Sequence, residues 1–236
     1  MRSSFSPSIN IIRDFDKEIS YIPTANTERV FSQIINDYKV GIRSFNIIGS
    51  YGTGKSAFLL VLERSLKGQG VYSKLLNGQF GDIQTFDYLN IVGEYRSMLD
   101  SFAQSLALPA DSLTQQTIFT ALEQKYSQIH HKNGGLVIVI DELGKFLEYA
   151  AQHTPEKELY FIQQLAEYAN DERKNILLIT TLHQGFDAYG RNLEVSQRQE
   201  WEKVKGRLKE ITFNEPVEIL LHRAAEHLQS TRTQTP

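Results

Sequence analysis

The run FNIIGSYGTGKSAFLLVLERSL fills residues 45–66, with an apolar stretch, a glycine-rich turn and a helix-forming stretch in that order. Gly49, Gly54, Lys55 and Ser56 satisfy the pattern G-x-x-x-x-G-K-[ST]. Glycine reaches backbone angles that let successive N–H groups curl around a phosphate, and the following helix aims its positive end at the same point. In such a loop Gly49, Ser50, Tyr51, Gly52, Thr53, Gly54 and Ala57 supply the cradle. Lys55 reaches the β- and γ-phosphates, and the Ser56 hydroxyl is a ligand for Mg²⁺. A flexible strand-to-helix turn with an exposed lysine is the plain alternative. The strand before the turn and the helix after it weigh against that alternative.

A phosphate loop of this kind needs a metal-holding acid at the end of a buried strand. LVIVIDE, residues 136–142, supplies one: apolar residues bury the strand and Asp141 emerges at its carboxyl end, where open α/β sheets place ligands. Asp141 is the second candidate metal residue beside Ser56, and Glu142 is suited to polarise an attacking water as general base. Taken alone, the same two acids are good caps for the helix beginning ELGKFLEY. A third buried stretch, NILLITTLHQGF, ends in Thr180, Thr181, His183 and Gln184. Thr181 and His183 are the candidates to orient water or report the γ-phosphate, with strand-end hydrogen bonding as the alternative. His183 has no second His or Cys at ligand spacing, so it is not a metal candidate. His130 and His131 fall in a predicted turn.

Outward from these motifs, apolar spacing predicts a lead-in over residues 1–22 and a helix over 23–41 capped by Asn26 or Thr27 and stopped by Gly41. Residues 71–87 read as a loop around a short strand, and YLNIVG as the next strand. Helices follow over 94–108, from a cap at Asp111 or Ser112 to about residue 131, over ELGKFLEYAAQ, and over PEKELYFIQQLAEYAND with Pro155 in its first turn. A polar helix over 192–209, a short strand EITF and a last helix PVEILLHRAAEHL precede a polar tail at 229–236. Strands alternating with long helices imply crossover units and a mainly parallel sheet covered on both faces. The expectation is therefore an α/β fold of three layers, α/β/α, with one nucleotide domain over residues 23–228.

The bulk composition limits the partners. The chain has 236 residues, no cysteine and a net charge of −3, which excludes disulfides and gives no global attraction to nucleic acid. Contact with DNA would need a local patch or another subunit. No apolar run approaches the ~18 residues that span a bilayer, so the chain is read as cytoplasmic without membrane contact. Guanine-specific loops commonly use N-K-x-D, which is absent, so ATP is the expected nucleotide. YIPT, residues 21–24, is placed either to touch adenine or to pack the lead-in. In EWEKVKGRLKE, Arg207 is the leading candidate for an arginine finger or a DNA-phosphate contact and Arg198 the second, against a plain solvated helix face.

GSYGTGKS, VIVIDELGKFLE and LLITTLHQ followed by EWEKVKGRLKEITF together resemble AAA+-like ATPases of the ASCE division. More narrowly they resemble the amino-terminal ATPase module of large bacterial ATP-binding proteins, many of them linked to phage defence or DNA processing. The likeness covers roughly residues 20–215. It implies a sheet order 5-1-4-3-2, nucleotide at the strand carboxyl ends, and a homo-oligomer or larger assembly with nucleotide often in a subunit interface. Such proteins usually carry a helical lid after the core, and one predicted helix follows EITF, so the lid is expected to be absent or truncated. The expected function is Mg-dependent ATP hydrolysis driving conformational change in an assembly that acts on DNA or a protein effector. An ATP-dependent oligomerisation switch with little hydrolysis is the alternative, and a small-molecule kinase a weaker third.

Overall fold

The computed structural model describes residues 9–17, 21–76, 78–109, 113–153, 155–190 and 195–215. In chain order its elements are α1 (Ala25–Lys39), β1 (Ser44–Ile48), α2 (Lys55–Leu66), α3 (Ser73–Leu76), β2 (Thr85–Val92), α4 (Met98–Ser105) and α5 (Gln115–His130). β3 (Gly134–Asp141), α6 (Leu143–Gln152), α7 (Pro155–Ala169), β4 (Ile176–Leu182), α8 (Val195–Lys205) and β5 (Lys209–Thr212) follow. The strands form one sheet in the order β2-β3-β4-β1-β5, with every pair parallel. This is the order expected from the resemblance, and it puts β4 between the strand of the glycine turn and the strand of the acids.

The period-2 alternation of the strands divides the core into two layers. Val137, Val139, Leu177 and Ile179 pack with Val30, Phe31, Phe58 and Leu62 beneath α1 and α2. Leu136, Ile138, Ile140 and Leu178 face the other way, against α4 to α8, with Phe102, Phe146, Phe161 and Trp201. All eight residues of β3 are buried, as the unbroken apolar run requires.

Several boundaries differ from the sequence reading, each for a local reason. The cap of α1 is Thr24, earlier than Asn26 or Thr27, because Thr24 and Thr27 bond each other's backbone in a capping box. Gly41, at φ 91°, stops that helix as expected. The lead-in carries a turn at residues 10–16, in which Asn10 Oδ1 accepts from the Ile12 and Arg13 amides and Asp14 Oδ2 accepts from Asn10 N. That turn sets Ile11, fully buried, into the α1–α2 layer.

No strand occurs among the described residues of 71–84; α3 lies there, and β2 begins at Thr85. α4 starts at Met98 instead of residue 94, where Glu158 from α7 accepts from Met98 N at 3.0 Å and from the Ser97 hydroxyl. A carboxylate sixty residues away thus does the capping. The cap of α5 is Thr114, while Asp111 and Ser112 lie outside the described residues. His130 belongs to the end of α5, stacked on Tyr126, and is not in the turn. α8 ends at Lys205 before Gly206, so Arg207 lies in the turn leading to β5. The expected last helix and the tail at 229–236 lie outside the described residues.

Candidate functional site

The glycine turn joins the carboxyl end of β1 to α2. Gly52 and Gly54 hold φ of 75° and 91°, in the left-handed region that strains any side chain. Gly49 is fixed by crowding instead, since a Cβ there would stand 2.2 Å from the carbonyl oxygen of Phe213. Thr53 Oγ1 donates to Ser50 O at 2.9 Å and braces the curve. Gly54 is the N-cap of α2 and brings no side-chain bond to it, which leaves the first-turn amides facing the loop. Ser56 and Ala57, in that first turn, are half-buried.

Lys55 is buried within the loop. Its Nζ donates to the carbonyls of Gly49 and Ser50 and lies 3.4 Å from His183 Nδ1. Burial lowers its pKa, while Asp141 and Glu142 act in the opposite sense and favour the ammonium.

The two acids stand at the end of β3 but differ in environment. Asp141 is 4% exposed, and its Oδ1 accepts from Thr181 Oγ1 at 2.6 Å. Glu142 is half-exposed at the N-cap of α6, with φ 59° and ψ 42°. A non-glycine residue in the left-handed region stores strain of order 1 kcal/mol, and such strain gathers at functional sites. The Glu142 amide donates to the same Thr181 hydroxyl at 2.9 Å. One threonine on β4 therefore holds the side chain of the first acid and the backbone of the second. Burial, and then the neighbouring Asp141, push the Glu142 pKa up.

His183 follows β4 directly. Burial and then the Lys55 charge lower its pKa to about 4, so the ring is neutral at ordinary pH. With Nδ1 turned to an ammonium, that nitrogen is the acceptor and the proton is assigned to Nε2, which points at Glu142 Oε1 3.8 Å away. Tyr51, 70% exposed at the crest of the loop, stacks on His183 with ring centroids 3.4 Å apart. Tyr189 fixes this segment against α6, where a Cβ at Gly144 would meet its hydroxyl at 2.4 Å. The small residue inside DELGK was the only sequence signal for that contact. A cleft of about 280 Å³ opens beside the loop between Ser50, Tyr51, Glu148, His183, Gln184 and Tyr189.

Lys55, Asp141, Glu142, Thr181 and His183, found in three separate motifs, thus meet at the carboxyl edge of the sheet. Thr180 faces the other way, with its hydroxyl 3.0 Å from Asn46 Oδ1 and 3.2 Å from Phe45 O. Arg207 stands at the opposite edge, two residues before β5, where it pairs with Glu167 and donates to Lys203 O. Arg198 lies exposed on α8. In YIPT, Thr24 is taken up by the α1 cap and donates to Glu215 at 2.6 Å. Among the described residues no group of three or more His, Asp and Glu side chains forms a metal cluster. No helix among them is long and apolar enough to cross a membrane.

No family profile and no curated protein sequence matches the chain. Solved structures match it by fold. The ORC2 protein of Aeropyrum pernix, in ADPNP–ADP complexes, superposes with a TM-score of 0.52 and 16% identity over 85% of this chain and 51% of its own. PCH-2 of C. elegans gives 0.50 and 14% over 86% of this chain and 46% of its own. The chain spans about half the length of each. At such identity the likeness establishes the fold alone: a parallel five-stranded α/β sheet with a glycine turn after β1.

Proposed function

We propose that the chain binds Mg·ATP and hydrolyses it, and that hydrolysis drives conformational change in a larger assembly. The observation that carries this reading is the convergence of Lys55, Asp141, Glu142, Thr181 and His183 on one glycine loop at the carboxyl edge. The amides of Gly49 to Ala57 hold the phosphates, and Lys55 turns from the loop carbonyls to the β- and γ-phosphate oxygens. Ser56 and Asp141 hold Mg²⁺, which neutralises phosphate charge when bound. Two protein ligands suit Mg²⁺, because it keeps waters and phosphate oxygens in its shell and needs no all-protein cage.

Glu142 takes the proton of the attacking water; its raised pKa makes the carboxylate a better base than an exposed glutamate. Neutral His183, with Nε2–H toward Glu142, orients that carboxylate or the water beside it. Arg207 points away from this chain's own loop, so a finger role for it falls on the nucleotide of a neighbouring subunit. An assembly on DNA or in phage defence is the finer reading and rests on the sequence resemblance.

Binding of a fluorescent ATP analogue with Mg²⁺ and release of phosphate test the proposal together. Lys55→Ala should weaken nucleotide binding roughly 30- to 5,000-fold, the loss of a buried charge contact of about 2–5 kcal/mol. Glu142→Gln should bind as wild type and lose roughly 10²- to 10⁴-fold in turnover. Equal turnover by wild type and Glu142→Gln would remove Glu142 as base. Tight binding without turnover by wild type would favour an ATP-dependent oligomerisation switch.

A further inference from the structure

Glu142 is gripped from both neighbouring strands, and one grip is a residue without a side chain. Gly93 follows β2 directly, and its amide donates to Asp141 O at 2.7 Å. A Cβ on Gly93 would stand 2.0 Å from Glu142 O, 2.7 Å from Glu142 C and 3.2 Å from Asp141 O. All three are backbone atoms, so no rotamer change relieves the clash. The carbonyl in question also accepts from Lys145 N at 3.0 Å and so begins α6. On the far side, Thr181 of β4 holds the Glu142 amide.

We propose that Gly93 is a positioning residue for Glu142: its bare backbone lets the 142–143 peptide sit where the left-handed turn aims the carboxylate at the loop. The inference rests on the ATPase reading for its consequence, but its geometry stands apart from that reading. Any side chain at position 93 pushes the peptide outward against the Thr181 bond. A displacement of about 1 Å in a catalytic group costs on the order of 10²-fold in rate.

The opposite end of the same strand pair supplies a control. A Cβ on Gly134 would meet the side-chain Cγ2 of Ile129 at 2.4 Å and the backbone Ile129 O at 2.8 Å, a clash with one side-chain and one backbone atom, far from the loop. Gly93→Ala and Gly134→Ala should both lose thermal stability. Only Gly93→Ala should lose at least about tenfold in kcat, with nucleotide binding within about threefold of wild type. Amide hydrogen exchange, read without nucleotide, should quicken at Glu142 and Leu143 in Gly93→Ala and stay unchanged there in Gly134→Ala.

If Gly93→Ala matches Gly134→Ala in kcat and in exchange at Glu142, the proposal is overturned. Should Gly93→Ala not fold, wild type decides: the Gly93 and Glu142 amides should exchange as slowly as those of central β3, and early exchange at either overturns the proposal. Absence of turnover in wild type would instead sink the ATPase reading and leave the exchange data to judge Gly93.

Discussion

The two edges of the sheet treat charge in opposite ways. At the amino edge three cations are matched by carboxylates, while Arg43 rests on the carbonyls of Asp171 and Lys174. Arg207 pairs with Glu167, Arg173 with Asp171, and Lys174 with Glu123 while lying over the rings of Tyr126 and Tyr168. At the carboxyl edge Lys55 rests on carbonyl oxygens, and His183 and Glu142 stand 3.8 Å apart without a hydrogen bond. Those three ion pairs at the amino edge complete one another. Lys55 and Asp141 at the carboxyl edge are held in place by neutral groups, which leaves their charge for a ligand.

That contrast would break if an unmatched carboxylate were also tolerated away from both edges. Glu63, in the middle of α2, is the place to look. It is 1% exposed; Oε2 accepts from Asn90 Nδ2 at 3.1 Å, while Oε1 and Asn90 Oδ1 have no partner. Burial pushes its pKa up to about 7 against the opposing effects of Asn90 and Lys67, with Asp141 adding to the rise. One proton on Glu63 would remove the buried charge.

The sign follows from proton counts. Between about pH 4.5 and 7 the folded chain holds a proton there that the unfolded chain has released, so stability falls as pH rises and levels off above about 7. The full effect is about 3 kcal/mol. Glu63→Gln should flatten that part of the urea-stability profile and be more stable than wild type by up to that amount at pH 8. An unchanged slope in the variant would mean that the folded protein carries Glu63 ionised.

A smaller effect, about 1–3 kcal/mol, is expected where the carboxyl edge depends on one neutral group. Thr181→Val keeps the shape but strands the Glu142 amide and removes a bond from Asp141. Converted to rate, the misplacement corresponds to roughly 5- to 150-fold in turnover. Thr180→Val, one residue earlier, removes a hydroxyl that is also buried but is bonded toward β1. It should lose comparable stability in denaturant with turnover nearly intact. Equal turnover losses in the two variants would show that neither hydroxyl is specific to the site.

What the sequence disclosed follows the range of the interactions. The glycine loop, the buried β3 run and the Asp141–Glu142 pair are local patterns, and each was legible from a few adjacent residues. The Thr24 cap is local yet not legible, because Asn26 and Thr27 are equally good cap residues and only tertiary placement selects among them. Glu158 capping α4, Gly93 under the Glu142 carbonyl and Tyr189 against Gly144 join residues far apart in the chain, and no spacing rule announces them. Thr181 and His183 are legible in the sequence as strand-end polar residues. That Thr181 serves both acids, while Thr180 serves β1, depends on the β3–β4 register.

The smallest expected effect tests the other edge. Arg207 and Glu167 are both partly exposed, and an ion pair of that kind contributes under about 1 kcal/mol and less in high salt. Arg207→Ala should therefore lower stability by less than that amount and leave turnover of the dilute chain unchanged, since the residue stands across the sheet from the loop. Turnover measured against protein concentration makes the comparison sharper. If wild-type specific activity rises with concentration and that of Arg207→Ala does not, the guanidinium leaves Glu167 on assembly and serves a neighbour's nucleotide. The matched edge would then supply, in trans, a second cation beside Lys55 at the carboxyl edge. If both rise together, Arg207 only stabilises the turn between α8 and β5.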